Sequence, residues 1–112
     1  MKLEEAKKIQ KESFDRRMKI RVLKAHDYAT EDLLSNFKRM SRHMKNFEID
    51  VSTPHGTALY MVVHKLDRLC NLAYRQKVAP KNESILDNMD DIKNYIDLTE
   101  ELFIESGILK PE

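Results

Sequence analysis

The chain has 112 residues, a formal net charge of +1, and 41% hydrophobic against 35% charged residues, the balance expected of amphipathic helices with solvated backs. Two glycines, three prolines and no tryptophan leave too few turn signals for a β-sandwich or barrel, and one cysteine, Cys70, excludes an internal disulfide. No apolar run reaches the ~18 residues of a membrane span and no hydrophobic signal segment opens the chain, so a single cytoplasmic all-α domain is expected over residues 1–112.

The first predicted helix runs from about Leu3 to Ala25. Residues 1–26 carry nine Lys or Arg against four acids, a basic N-terminal helix of net charge +5. His26-Asp27-Tyr28-Ala29 then breaks the pattern, and Thr30 offers an N-cap ahead of Glu31 and Asp32. Leu33, Phe37, Met40, Met44 and Phe47 mark one face of the second helix. Asp50 to Gly56 reads as a loop. The third helix, Thr57 to Lys77, has a broad apolar arc of Leu59, Val62, Val63, Leu66, Leu69, Cys70, Ala73 and Tyr74. Lys65 sits inside that arc and Arg68 at its edge, while His64 and Asp67 fall toward the polar, solvated side. Val78-Ala79-Pro80-Lys81 ends the helix. Asn82 or Ser84 caps the fourth, which closes near Gly107, so residues 30–107 form the helical core of a four-helix bundle.

The fourth helix carries an acidic ladder, Glu83, Asp87 and Asp91, at intervals of four. That spacing places the three carboxylates on one face, where they repel one another unless a metal ion, a Lys or Arg, or water lies between them. The apolar stripe of this helix is Ile85, Met89, Ile92, Ile96, Thr99 and Phe103, extended to one side by Tyr95, Leu98 and Leu102. Asp91 and Asn88 fall within the extension, Asp87 and Asn94 border it, and Asp90, Lys93, Asp97 and Glu100 face solvent. A carboxylate among apolar neighbours must be paired, hydrogen-bonded or protonated. Lys65 is the answering anomaly on the third helix. The two are expected to face each other as a buried ion pair or as part of a site for a charged ligand, unless Lys65 snorkels its ammonium to the surface. Lys65→Met alone is expected to destabilise the fold by roughly 3–5 kcal/mol, the usual result of leaving one buried partner unpaired.

Charge is uneven along the chain, +5 over residues 1–26 and −7 over residues 83–112. A basic helix can attract nucleic acid, but interleaved acids and the lack of stacking aromatics make a solvated helix beside the acidic one, within a monomer or across a dimer, the better reading. His26, His43, His55 and His64 lack partners at zinc spacing, and no glycine-rich phosphate loop exists. Cys70 reads as a core thiol and the methionines as core filler.

Several strings converge on one resemblance: His26-Asp27-Tyr28-Ala29, Asn36-Phe37, Lys65-Leu66-x-Arg68-Leu69-x-Asn71-Leu72, and Asn82-Glu83-Ser84-Ile85-x-Asp87-x-x-x-Asp91-x-x-Asn94-Tyr95. Over roughly residues 24–105 the chain resembles bacteriophage proteins of the nucleotide modification-associated domain type, which look like relatives of the all-α nucleoside triphosphate pyrophosphatases, the MazG and dimeric dUTPase group. The resemblance implies a helical bundle, often a homodimer, that binds a nucleotide, a deoxynucleotide above all, in the host cytoplasm. It further implies that Glu83, Asp87 and Asp91 hold Mg²⁺, that Lys65 and Arg68 contact phosphate, and that Asp27, Asn36, Asn94 and Tyr95 stand close to the nucleotide. Magnesium would activate water for release of pyrophosphate. The Glu-x-x-Glu pair usual on the preceding helix of the active enzymes has no counterpart between Ala29 and Lys77. Two functions follow: a Mg²⁺-dependent nucleotide-binding protein or pyrophosphohydrolase, and a non-catalytic phage accessory protein that engages a protein partner or sequesters a nucleotide.

Overall fold

In the computed structural model the described residues are 1–28, 32, 34–76 and 84–111, with the side chains of residues 26–28 left aside. They form four α-helices, α1 (Leu3–Tyr28), α2 (Ser35–Phe47), α3 (Pro54–Cys70) and α4 (Ile85–Ser106), and no strand among the described residues. The expected all-α class is therefore observed. No helix is long and apolar enough to cross a membrane.

Local chemistry sets the boundaries. Helix α1 runs through His26-Asp27-Tyr28 instead of stopping at Ala25, since none of these residues removes a backbone donor or demands a left-handed conformation. Helix α2 begins at Ser35, later than expected. Its N-cap position is Leu34, with no side-chain cap, and Asp32 instead accepts the Leu34 N–H at 2.9 Å. Thr30 and Leu33 lie outside the described residues.

Helix α3 starts three residues before the expected Thr57. Thr53 is its N-cap, accepting from Gly56 N–H at 3.0 Å, and Pro54 occupies the first turn, where its missing donor does no harm. Gly56 is required here: a Cβ would lie 1.7 Å from the Asp50 carbonyl oxygen. At the other end α3 passes into a π-helical turn, Asn71–Arg75, closed by a bond from Gln76 N–H to the Asn71 carbonyl at 2.7 Å. The wider turn shifts the phase of the face, so Ala73 and Tyr74, expected in the apolar arc, are exposed.

Ser84 and Asp87 form a reciprocal capping box at the start of α4, and Gly107 ends it in the left-handed conformation at φ 84°. A C-terminal αL glycine carries no Cβ penalty.

Helix α3 is the centre of the fold, packed most extensively on α4 and also on α2, while α1 packs chiefly against the π-helical turn. The buried apolar set among the described residues is small: Met40, Ala58, Val63 and Leu72. Six polar residues are buried beside it, Asn36, Asp67, Arg68, Asn71, Asn88 and Thr99. The radius of gyration is 18.4 Å, where a compact chain of this length has about 13 Å. The molecule is extended because α1 projects from the other three helices.

Two expected faces change in consequence. Phe37 and Phe47, placed on the inward face of α2, are 66% and 63% exposed. On α4, Ile85, Met89 and Ile96 of the expected stripe are exposed, whereas Thr99 of that stripe and Asn88, Tyr95 and Leu102 along its extension are buried or half-buried.

Candidate functional site

Two polar clusters flank α3, one against each neighbouring helix. Against α4, Lys65 meets Asp91 with Nζ 3.0 Å from Oδ2. The expected pairing is therefore present, and Lys65 does not snorkel away. The burial is unequal: the Lys65 side chain is 14% exposed, and the Asp91 carboxylate, expected to be buried, is 41% exposed. Arg68, one turn beyond Lys65, is buried, so the edge of the predicted arc is in fact interior. Asn88, one turn before Asp91, is fully buried. Its Nδ2 donates to the Ser84 carbonyl at 3.0 Å, while its Oδ1 accepts no hydrogen bond. A buried amide oxygen without a donor carries a desolvation penalty of about 1–3 kcal/mol.

The remaining predicted positions separate. Asp87 is exposed and turned back on its own helix terminus: its Oδ2 accepts the Ser84 N–H at 3.2 Å, and Ser84 Oγ accepts the Asp87 N–H at 2.9 Å. The hydrogen bonds from Ser84 hold the Asp87 carboxyl below the usual carboxylate range. Asn94 is exposed and Tyr95 half-buried, its backbone carbonyl accepting Thr99 Oγ1 at 2.7 Å. Asn36 is buried on α2, the helix on the other flank of α3. Glu83 and the side chain of Asp27 lie outside the described residues.

Magnesium can be tested against this arrangement. Asp87 is engaged by Ser84 and Asp91 by an ammonium at 3.0 Å, and among the described residues no three His, Cys, Asp or Glu side chains converge as a ligand set. The two described carboxylates do not by themselves make a magnesium cage.

The second cluster lies between α2 and α3 and centres on Asp67, whose side chain is 3% exposed. It was expected on the solvated side of its helix. Instead Arg39 grips it with two bonds, Nε to Oδ1 at 2.9 Å and an Nη to Oδ2 at 3.1 Å. His43 Nε2 lies 3.4 Å from Oδ1. Arg75, from the π-helical turn, reaches the same oxygen at 3.4 Å and the Asp67 backbone carbonyl at 2.6 Å. It also donates to the Oδ1 of the fully buried Asn71 at 3.3 Å. Burial alone would raise the Asp67 carboxyl, but the Arg39 hydrogen bonds, the Arg39 and Arg75 charges and His43 outweigh it and hold it below the usual range. Bidentate Arg–carboxylate geometry of this kind is among the stronger polar contacts a protein makes.

His64 sits on the inward face of α3 near both clusters. It is half-buried rather than solvated, stacked on Tyr60 with centroids 6.2 Å apart and planes 3° apart, and its Nδ1 is buried without a partner. Burial first, then the Arg68 and Lys65 charges, push its pKa down against the opposing pull of Asp67.

Sequence reasoning missed the Asp67 cluster, although a signal existed. Asp67, Asn71 and Arg75 recur every fourth residue, as the acidic ladder does, and Arg39 and His43 share that spacing on α2. No known protein family, curated protein or solved structure matches this chain.

Proposed function

We propose that the chain is a nucleotide-binding protein of MazG-like type whose α3–α4 face contacts the phosphates of a nucleotide, a deoxynucleotide by the resemblance drawn from its sequence. The observation that carries this reading is the placement of Lys65 and Arg68 on adjacent turns of α3, Lys65 with its side chain 14% exposed and Arg68 buried, near Asp91 and the fully buried Asn88. Cations drawn out of water side by side are costly unless anionic groups answer them, and phosphate oxygens suit both ammonium and guanidinium. Asn94 and Tyr95 continue the same helix and are the positions from which a base or sugar would be reached.

Binding without hydrolysis is the form of this function that the geometry favours, because Asp87 and Asp91 already have partners within the chain. A pyrophosphohydrolase would need Glu83, Asp87 and Asp91 to recruit Mg²⁺ together, with Lys65 leaving Asp91 for the substrate. The non-catalytic phage accessory role stands as the second reading for the same reason.

Thermal-shift titration with a panel of deoxynucleoside triphosphates, with and without Mg²⁺, tests the proposal. A saturating rise in Tm that Lys65→Met removes supports nucleotide binding. Pyrophosphate release lost in Asp87→Asn and Asp91→Asn would establish the hydrolase instead. Indifference to every nucleotide and to the metal would overturn both and leave a protein partner.

A further inference from the structure

Helix α1 buries almost none of its own surface. Phe14 is 54% exposed, Met18 39% and Val22 67%. Lys7, Lys11, Phe14, Met18 and Arg21 follow one another at steps of four, three, four and three, so apolar and basic side chains share one face of a helix that projects from the fold. Lys7 and Lys11 are bonded only weakly within the helix, to Glu4 at 3.4 Å and to Asp15 at 3.5 Å, both in open solvent, where such pairs contribute little.

At the far end of α3 from the π-helical turn that anchors α1, α3 and α4 enclose an apolar groove of about 360 Å³. Ala58 and Met61 form one wall, Leu98 and Leu102 the other, and the carboxylates of Glu101 and Glu105 stand on its rim. The side of α4 that borders it lies in the strongly acidic C-terminal segment, residues 83–112.

The exposed area states how much cover is missing. The chain exposes 8557 Å², whereas a compact monomer of 13.2 kDa exposes about 6,400 Å². The excess, roughly 2,100 Å², is what one partner contributes to a large, stable protein–protein interface.

We infer that α1 of a second copy of this chain occupies the α3–α4 groove, in a reciprocal dimer in which each basic helix lies on its partner's acidic groove. Phe14 and Met18 enter between Met61 and Leu102, and Lys7, Lys11 and Arg21, spread along the same face, lie over the acidic surface of α4 that includes the rim carboxylates Glu101 and Glu105. A stretch from Lys7 to Met18 is about 16 Å long at 1.5 Å per residue, close to the roughly 15 Å of α4 between Tyr95 and Glu105, both of which line the groove. A two-fold arrangement uses the same pair of surfaces twice and closes without propagating. The inference stands independently of nucleotide binding.

The test uses the full chain in sedimentation equilibrium at low and high salt, with two charge-reversed variants. Lys7→Glu/Lys11→Glu/Arg21→Glu reverses the helix, and Glu101→Lys/Glu105→Lys reverses the rim. All of these positions but Glu101 and Glu105 lie on α1, all are exposed or at the groove mouth, and circular dichroism verifies that each variant keeps its helices. Wild type is expected to be a dimer that weakens with salt, and each variant alone to dissociate at least roughly tenfold more readily. Mixing the two variants is expected to restore a dimer, because both interfaces of the mixed pair are again complementary. A monomeric wild type, variants that associate like wild type, or a mixture that stays dissociated would each overturn the inference. So would a cross-link from α1 to the groove of its own chain in a monomer.

Discussion

Helix α3 presents a charged side chain to each of its neighbours, Asp67 to α2 and Lys65 to α4, and the two contacts are built differently. Asp67 is almost sealed and is answered by Arg39, His43 and Arg75 from two other elements. Lys65 meets Asp91, whose carboxylate retains open access to water. A charge surrounded on all sides has no alternative to its partners, whereas one that borders solvent can exchange them. The α2–α3 cluster is therefore a brace that fixes the relative position of three elements. The α3–α4 pair is suited to a site, because Asp91 can release Lys65 to an incoming anion at small loss.

This contrast is broken most directly by Asp67→Asn. The substitution preserves shape but leaves Arg39, itself 13% exposed, and Arg75 facing a neutral amide. Removing one member of a buried charge group typically destabilises by about 3–5 kcal/mol. Urea unfolding should report a loss in that range with the slope unchanged. A midpoint equal to that of wild type would mean that the cluster is no brace at all.

Lys65→Met should be milder than a fully buried pair would give. Its partner Asp91 is 41% exposed and hydrates when abandoned, so the expected loss is about 1–2 kcal/mol, the lower part of the range for a charge-assisted hydrogen bond once screening by solvent is allowed for. A double-mutant cycle with Asp91→Asn isolates the coupling. A loss as large as that of Asp67→Asn would erase the distinction between brace and site.

The same contrast marks what the sequence disclosed. Lys65 and Asp91 were legible because each interrupts an apolar pattern on its own helix, and two interruptions in facing helices need one another. Ser84 and Gly107 were legible because helix termini obey local rules of capping. Asp67 was not, because it lies outside the apolar arc of its helix, where a projection by apolarity assigns a charged residue to solvent. The arginines that overrule that assignment come from α2 and from beyond Cys70. The π-helical turn was equally hidden: it depends on one extra residue in the hydrogen-bonded ring, Asn71 to Gln76, and leaves no mark in composition. On α4, periodicity places Thr99 in the apolar stripe and Asn88, Tyr95 and Asp91 along its extension; what it does not reveal is that the extension is the covered side, while Ile85, Met89 and Ile96 at the centre of the stripe stay exposed.

The smallest effect concerns His64, which borders both clusters. Its pKa is lowered in the folded chain by burial and by the Arg68 and Lys65 charges, so the unfolded chain takes up a proton first as pH falls. Stability should therefore be flat above the unfolded histidine value of about 6.5 and decline below it, until the folded pKa is passed. Asp67, whose folded pKa is also lowered, contributes stability above the unfolded carboxyl value of about 3.9 that is lost as pH falls further through the folded one. The two losses fall in separate windows. His64→Gln should flatten the upper decline and leave the lower one in place, while Asp67→Asn should do the reverse; thermal melts from pH 8 to pH 3 separate them. If His64→Gln leaves the slope between pH 7 and pH 5 unchanged, then the burial of His64 does not set the stability in that window.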